Sequence, residues 1–593
     1  MKAAAAIFAL ALGLRLLYLG AAVDRRWPHA AAYEGDAIVW AAGAQTLAQG
    51  AAPDDPLFFR ANAPAHLLRW LGFAGALRDY TGAKVLWCLV SALACAGNLV
   101  LGARAFTPRV GIIAAGLQAF SWQQYVLATS LNTEALYGLL LVLVLAGAWQ
   151  LQRRPRWPLA LALGVVQGLA ILIRIEHLLL LGLLLIDGWW RTQAAPRAAG
   201  DGSGAGDPDG DGDRSTAGRW RLPVRRVALQ LAVAIPALLV CLPASIEQTR
   251  AARLYNTVAR REPAFDRVPV PWAPDARAFL AELPAFARVR AFAYLSRFAD
   301  QRGTAEMTAP LARQLWREEL GALPEPLRTP VFVSGQGPLN FALANHPGAH
   351  GAFSKAALEN RFLANDPKLT LSVPEHLRLY NHGYAVGLGF IRSDPGGWLR
   401  AVGRKLWFFA QGASLGLTAY NLPLGRYGER RPCDLLTPFP GSGWAWEIAC
   451  AGLILAGAVI ARRSDAGRLC LLVLVYKLVV TIGFFGYARQ AASIGPVLAL
   501  LAALALDALA GKLGAAIGRR GGAAGSLTGA LPGDHRRAWL LVGSVVALGV
   551  AVDVQAARHP PAFDIHGPLR ATPEWGESSF SSNAKIELRP QTQ

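Results

Sequence analysis

Long apolar blocks alternate with short basic breaks along most of this 593-residue chain. Crossing a bilayer as a helix takes roughly 20 consecutive apolar residues. The blocks predict spans at 3–21, 83–101, 110–127, 135–151, 158–173, 175–190, 227–243, 444–461, 469–485, 492–510 and 539–554. The third to sixth are short and closely spaced. The run after Lys2 is about as long as a signal peptide, but it continues through Arg15 and Tyr18 without a small-residue cleavage site and reads as an uncleaved first span. The pattern predicts an all-α polytopic membrane protein with about eleven transmembrane helices.

Charge gives these spans an orientation. Basic clusters fall in alternate connections: Arg104 with Arg109; Arg153, Arg154 and Arg156; Arg225 with Arg226; Arg462, Arg463 and Arg468; Arg519, Arg520, Arg536 and Arg537. Cytoplasmic loops are enriched in Lys and Arg, so these connections are expected inside. The loops 24–80, 128–134, 245–443 and 486–490, and the tail after Gln555, are then outside. The net charge of +20 lies largely in such clusters beside apolar segments, which argues against a nucleic-acid partner.

The expected organisation is an N-terminal membrane core (1–243), an outer domain (244–443), C-terminal transmembrane helices (444–556) and an outer tail (557–593). The core includes an acidic first outer loop (22–82) and a cytoplasmic linker (192–218). That linker, with Asp207, Asp209, Asp211 and Asp213 among glycines, has too few apolar residues to bury and is expected to be disordered. It lacks the ligand ladder ending in Glu that an EF-hand loop requires. A second flexible connection is expected at 521–533. The stretch 245–443 is too polar to span; 275–298 and 308–320 carry helical apolar spacing, and 331–333 suits a short strand. A small, mostly helical domain on the membrane surface follows. The six cysteines include no CxxC pair, and five of them lie in or beside apolar segments, so a thiolate zinc site or disulfide framework is not expected.

The first outer loop is the most informative polar stretch. It reads Tyr33-Glu34-Gly35-Asp36, an amphipathic run to Gly50, then Asn62-Ala63-Pro64-Ala65-His66 and a second amphipathic run to Tyr80. Locally, Asp36 suits a helix N-cap. Other polar stretches follow in order: Ser130-Leu131-Asn132-Thr133-Glu134; Gly164 to Gly168, then Arg174-Ile175-Glu176-His177; Gly337-Pro338-Leu339-Asn340, then Asn345-His346-Pro347-Gly348; the segment 390–405 with Arg404-Lys405; and Gly486-Tyr487-Ala488-Arg489 before Pro496.

In this order the chain resembles the GT-C glycosyltransferases: protein O-mannosyltransferases, the aminoarabinose transferase of lipid A and the bacterial Rgt-like sugar transferases. Asn62-Ala63-Pro64 has one proline where many members have two. The resemblance implies a GT-C-like fold and an enzyme of the bacterial cytoplasmic membrane with its active site facing the periplasm. The reaction it implies is inverting transfer of a sugar from a polyprenyl-phosphate donor to a glycan, lipid or protein acceptor. It matches Asp36 to the family's catalytic or metal-organising carboxylate and Glu134 to a second outward acidic residue, so Asp36 is expected as the essential catalytic carboxylate and Glu134 as a supporting one.

Those residue types suit that chemistry. A carboxylate takes the acceptor's proton as general base, and cations at membrane depth stabilise the phosphate leaving group. Arg489, Arg174 and Lys405 are candidates to bind the donor phosphate, and Glu34, His66, Glu176, His177 and Asn345 to bind substrate. Snorkelling to the headgroups is the competing reading of each Arg. Lys477 lies deeper and could instead pair with Asp187 or Asp507. A divalent metal ion is an open alternative, since Asp36, Glu134, Glu176, His177 and His66 could face one outer cleft. Rival readings are a ligase or polymerase using lipid-linked glycan, and a secondary transporter; the inverted repeats of transporters are not evident. Reporter fusions at Gly212 and Gly335 should give opposite topological signals, and matching signals would contradict the alternation of basic loops.

Overall fold

The computed structural model describes residues 2–22, 36–49, 63–73, 80–198, 217–257, 268–283, 285–320, 325–349, 351, 356–358, 369, 371, 374–413, 444–486 and 488–520. These residues are all-helical apart from turns and one isolated bridge between Trp272 and Met307. The elements are α1 (Lys2–Ala22), α2 (Asp36–Ala48), α3 (Ala63–Trp70), α4 (Thr81–Ala105), α5 (Pro108–Ala119), α6 (Trp122–Thr129), α7 (Thr133–Arg153), α8 (Trp157–Ile173), α9 (His177–Ala198) and α10 (Ala217–Thr257). There follow α11 (Pro274–Glu282), α12 (Ala285–Gln301), α13 (Ala309–Leu315), α14 (Gly337–Ala344), α15 (Pro374–Ser393), α16 (Pro395–Gln411), α17 (Trp444–Ala461), α18 (Asp465–Gly483), α19 (Ala488–Ala492) and α20 (Gly495–Arg520).

Each of the first ten apolar blocks is helical; 539–554 lies outside the described residues, as do 521–533 and the tail. Five of the helices are long and apolar enough to cross a membrane, and four shorter apolar helices accompany them. Large apolar side chains are exposed in stripes: Leu231, Ile235, Leu238, Leu242 and Ile246 on α10, and Leu161, Val165 and Leu169 on α8. Water would penalise such stripes and lipid does not. The chain is a multi-pass membrane protein.

The third block departs from the pattern, because it is two helices and not one. α5 ends at Ala119 and α6 begins at Trp122, with Ser121 extended between them. The Tyr125 hydroxyl donates to the Ala119 carbonyl at 2.7 Å, satisfying an acceptor that the break would orphan. The seventh block, 227–243, sits inside a 41-residue helix, so the ends of the 192–218 linker are helical and its middle, 199–216, lies outside the described residues.

Glycines let the bundle close. α8 meets α10 at Gly164 and Gly168, one turn apart on a single face. A Cβ at Gly168 would stand 2.6 Å from Val240 Cβ and 2.7 Å from Ala237 O, and one at Gly164 would collide with the Val233 carbonyl. Small residues at this spacing bring backbones together where lipid supplies no hydrophobic drive between helices. α20 runs through the middle of the bundle, with Val497 to Ala503 all buried.

The polar middle of the chain builds two further cores. Trp272, Phe279, Leu295 and Trp316 join α11 to α13; Leu327, Leu339, Leu343 and Tyr380 pack with Ala251 and Ala252 of α10. The segment 331–333 is not a strand. The Thr249 hydroxyl of α10 accepts from Val331 N at 3.0 Å and lies 3.1 Å from Val331 O, so a side chain takes the place of a ladder. The segment 308–320 forms α13 and a π-helical turn at Trp316–Leu320. The segment 390–405 is divided by Asp394, which caps α16 by accepting from Gly397 N at 2.8 Å.

Gly164→Leu should separate α8 from α10 and lower the thermal unfolding temperature of the detergent-solubilised protein. Gly182→Leu, where an added Cβ meets nothing within 4 Å, should leave it unchanged. Equal behaviour of the two variants would contradict the close packing.

Candidate functional site

Three connections that the basic loops assign to one side meet at one end of the bundle: the α6–α7 turn, the α8–α9 turn and the segment leading into α19. Each delivers charge for a local reason. Glu134 lies in the first turn of α7, where the helix dipole favours an anion. Arg174 is the C-cap residue of α8, where the dipole favours a cation. Leu131 holds the α6–α7 turn in the left-handed region at φ 56, a conformation costing a non-glycine residue roughly 1–2 kcal/mol. It is buried, so packing sustains the turn that aims Asn132 and Glu134 inward.

The charges form one network. Glu134 Oε1 accepts from Arg174 Nη1 at 2.9 Å and from Arg489 Nε at 3.0 Å, and Arg489 Nη2 also donates to Asn132 Oδ1 at 2.9 Å. Glu176 Oε1 accepts from Arg174 Nε at 2.7 Å and from Lys477 Nζ at 3.1 Å. Arg174 therefore bridges the two carboxylates. Three cations against two carboxylates leave one positive charge in excess. Burial grades the set: Glu134 and Lys477 side chains are 0% exposed, Arg174 12%, Arg489 18% and Glu176 20%. Glu176, Arg489 and Arg174 form the more accessible rim of the set, over a floor of Glu134 and Lys477. Lys477, six residues before the end of α18, is about 9 Å below that end. Its partner is Glu176; Asp187 instead pairs with Arg468 and accepts from Gln152, and Asp507 accepts from Thr107.

Beneath the charges lies a neutral layer. The Tyr137 hydroxyl is 2.8 Å from His177 Nδ1 and 3.1 Å from the Tyr476 hydroxyl, and His177 Nε2 is 2.5 Å from Gln167 Oε1. Tyr137, Gln167, Tyr476, Asn132 and Gln490 were not singled out by the sequence pattern. The available signal was polar and aromatic residues beside charges at the ends of apolar helices: Tyr137 one turn after Glu134, Tyr476 next to Lys477.

Other candidates lie apart. His66 on α3 pairs with Glu247 on α10 at 2.8 Å, tying a juxtamembrane helix to the bundle. Asn345 Nδ2 donates to the carbonyls of Phe341 and Gly483, and Lys405 Nζ donates to Asn345 Oδ1 and Ile482 O, both at 3.0 Å. This pair fastens α16 to the carbonyl end of α18, next to the loop leading to Arg489. Burial pushes the Lys405 ammonium down to about 8. Asp36 opens α2, but its side chain and all of Glu34 lie outside the described residues.

Four of the five side chains considered as metal ligands are described, and each has other partners. No group of three or more His, Cys, Asp or Glu suited to a metal occurs among the described residues. The Glu134 and Glu176 carboxylates are engaged by cations, both His177 ring nitrogens by neutral partners, and His66 by Glu247. A divalent ion there would face three cations.

No family model and no curated protein matches the chain. Among solved structures it is similar to ArnT from Cupriavidus metallidurans bound to undecaprenyl phosphate, with 14% identity over 98% of this chain and 90% of that one and a TM-score of 0.26. It is similar to the apo state of the same protein at 14% identity, the same coverage and a TM-score of 0.27.

Breaking a buried ion pair by removing one partner costs about 3–5 kcal/mol, because the other charge stays buried. Glu134→Gln leaves three cations facing one carboxylate and should lower the unfolding temperature sharply, whereas Glu318→Gln, at an exposed pair with Arg302, should have no measurable effect. Unfolding of Glu134→Gln at the wild-type temperature would contradict the network.

Proposed function

We propose that this chain is a GT-C-type glycosyltransferase that moves a sugar from a polyprenyl-phosphate donor to an acceptor at the outer face of the bacterial cytoplasmic membrane. One observation carries the reading: two mostly buried arginines at one end of the bundle, in a network of three cations and two carboxylates that holds one positive charge in excess. Ionisable groups at such depth mark functional sites by default. A lipid phosphate brings its charge to that depth on its own apolar chain, and planar guanidinium groups suit its oxygens. The outer placement rests on the basic loops, all at the opposite ends of the same helices.

The reaction in this reading is a single displacement. The acceptor oxygen or nitrogen attacks the anomeric carbon as the bond from that carbon to the phosphate oxygen breaks, which inverts the centre. Asp36 takes the acceptor's proton, and the bond electrons leave with the polyprenyl phosphate. Arg174 and Arg489 contact the phosphate, whose charge grows as the bond breaks, so their hydrogen bonds strengthen in the transition state. Glu134 and Glu176 hold the two arginines and do not transfer protons. Lys405 and Asn345 act by fixing the end of α18 and the segment before Arg489.

General-base help is worth roughly 100- to 10,000-fold in rate, and Asn caps a helix about as well as Asp. Asp36→Asn should therefore be stable and lose activity on that scale, while Arg489→Ala should chiefly raise KM for the polyprenyl-phosphate sugar. A fully active Asp36→Asn enzyme would reduce Asp36 to a helix cap and overturn the mechanism.

A further inference from the structure

The neutral layer under the arginines has no part in the reaction described above. Its members come from four helices: Tyr137 from α7, Gln167 from α8, His177 from α9 and Tyr476 from α18. All four are buried. Three of them neighbour a charged residue of the site: Tyr137 lies one turn from Glu134, His177 adjoins Glu176, and Tyr476 adjoins Lys477. A shift in this layer therefore moves both carboxylates and the lysine together.

The four side chains form one hydrogen-bonded chain, Gln167 to His177 to Tyr137 to Tyr476, with the imidazole between the amide and the Tyr137 hydroxyl. The imidazole stands edge-on to the Tyr137 ring, with centroids 5.5 Å apart at 80°. The Arg174 guanidinium carbon lies 5.8 Å from the centroid of the Tyr137 ring, within cation–π range.

We propose that Tyr137, fixed by His177 and Tyr476, is a positioning residue that sets the Arg174 guanidinium for the donor's phosphate. Arg174 is held by two carboxylates, at 2.9 and 2.7 Å, and by a longer contact from its Nη2 to Gln490 Oε1 at 3.5 Å. The Tyr137 ring adds a further contact to the guanidinium, and the hydroxyl's two partners stop the ring from rotating away. The inference rests on the reading that Arg174 contacts the phosphate, and it assigns the layer no part in proton transfer.

The test is the affinity of the full chain, in lipid nanodiscs, for undecaprenyl phosphate. Tyr137→Phe keeps the ring and removes only the hydroxyl. It should unfold near the wild-type temperature yet bind roughly tenfold more weakly, within the range of coupling for side chains of one network. In an Arg174→Ala background the same substitution should cost nothing further, because its effect passes through Arg174. Wild-type affinity in a folded Tyr137→Phe protein would overturn the proposal, as would an equal loss in both backgrounds; the functional reading would survive either result. Absence of binding by the wild-type chain would overturn both. Should Tyr137→Phe fail to insert, Tyr476→Phe, which keeps the Tyr137–His177 bond, should weaken binding roughly threefold, and unchanged binding would refute the positioning role.

Discussion

Charge cannot be buried at membrane depth unless it is paired, and one end of this helical bundle is organised around that constraint. Arg174 meets it by spanning two carboxylates, Glu134 on α7 and Glu176 ahead of α9. Arg489 and Lys477 then attach α19 and α18 to the same pair. Five ionisable side chains thus tie together elements that lie far apart in sequence. Hydrophobic burial does not discriminate among apolar helices in lipid, so polar contacts of this kind and close glycine packing fix which helices meet and in what register.

The excess of one cation gives the knot its chemical direction. A balanced set would be purely structural; in the proposed function the unbalanced one receives an anion, a phosphate that its lipid carries to this depth. The carboxylates keep the arginines from collapsing onto other acceptors, and the aromatic layer supports them from below. Rigidity of this kind fits an enzyme that stabilises charge as a bond breaks, since donors held in place need no reorganisation during the reaction.

Much of the architecture was legible in the sequence, because a spanning helix needs a long apolar block. Nine of the predicted spans correspond to single helices and the third to two, and the connections carrying Glu134, Arg174, Glu176 and Arg489, which the basic loops place on one side, meet in the fold. The break at Ser121 was not legible, since it depends on a tyrosine hydroxyl reaching a carbonyl six residues back. Nor was the loss of the 331–333 strand, which follows from a threonine more than eighty residues away. Within the site, the charged residues stood out against apolar surroundings. Which carboxylate held which cation was invisible: Lys477 had Asp187 and Asp507 as plausible partners and took Glu176. Tyr137 and Tyr476 passed as ordinary aromatic residues of apolar helices, because their importance lies in what they touch. His66 and Asn345 stood out in the sequence as candidate substrate ligands, and their contacts between helices were not legible there.

The central claim is that this charged knot receives a lipid phosphate, and a structure of the full chain in nanodiscs with undecaprenyl phosphate addresses it most directly. The phosphate should lie at the rim with its oxygens about 2.7–2.9 Å from guanidinium nitrogens of Arg174 and Arg489, the span of charge-assisted hydrogen bonds, while Glu134 and Glu176 keep their present partners. A phosphate bound elsewhere on the protein, with both arginines still facing only the carboxylates, would contradict the account.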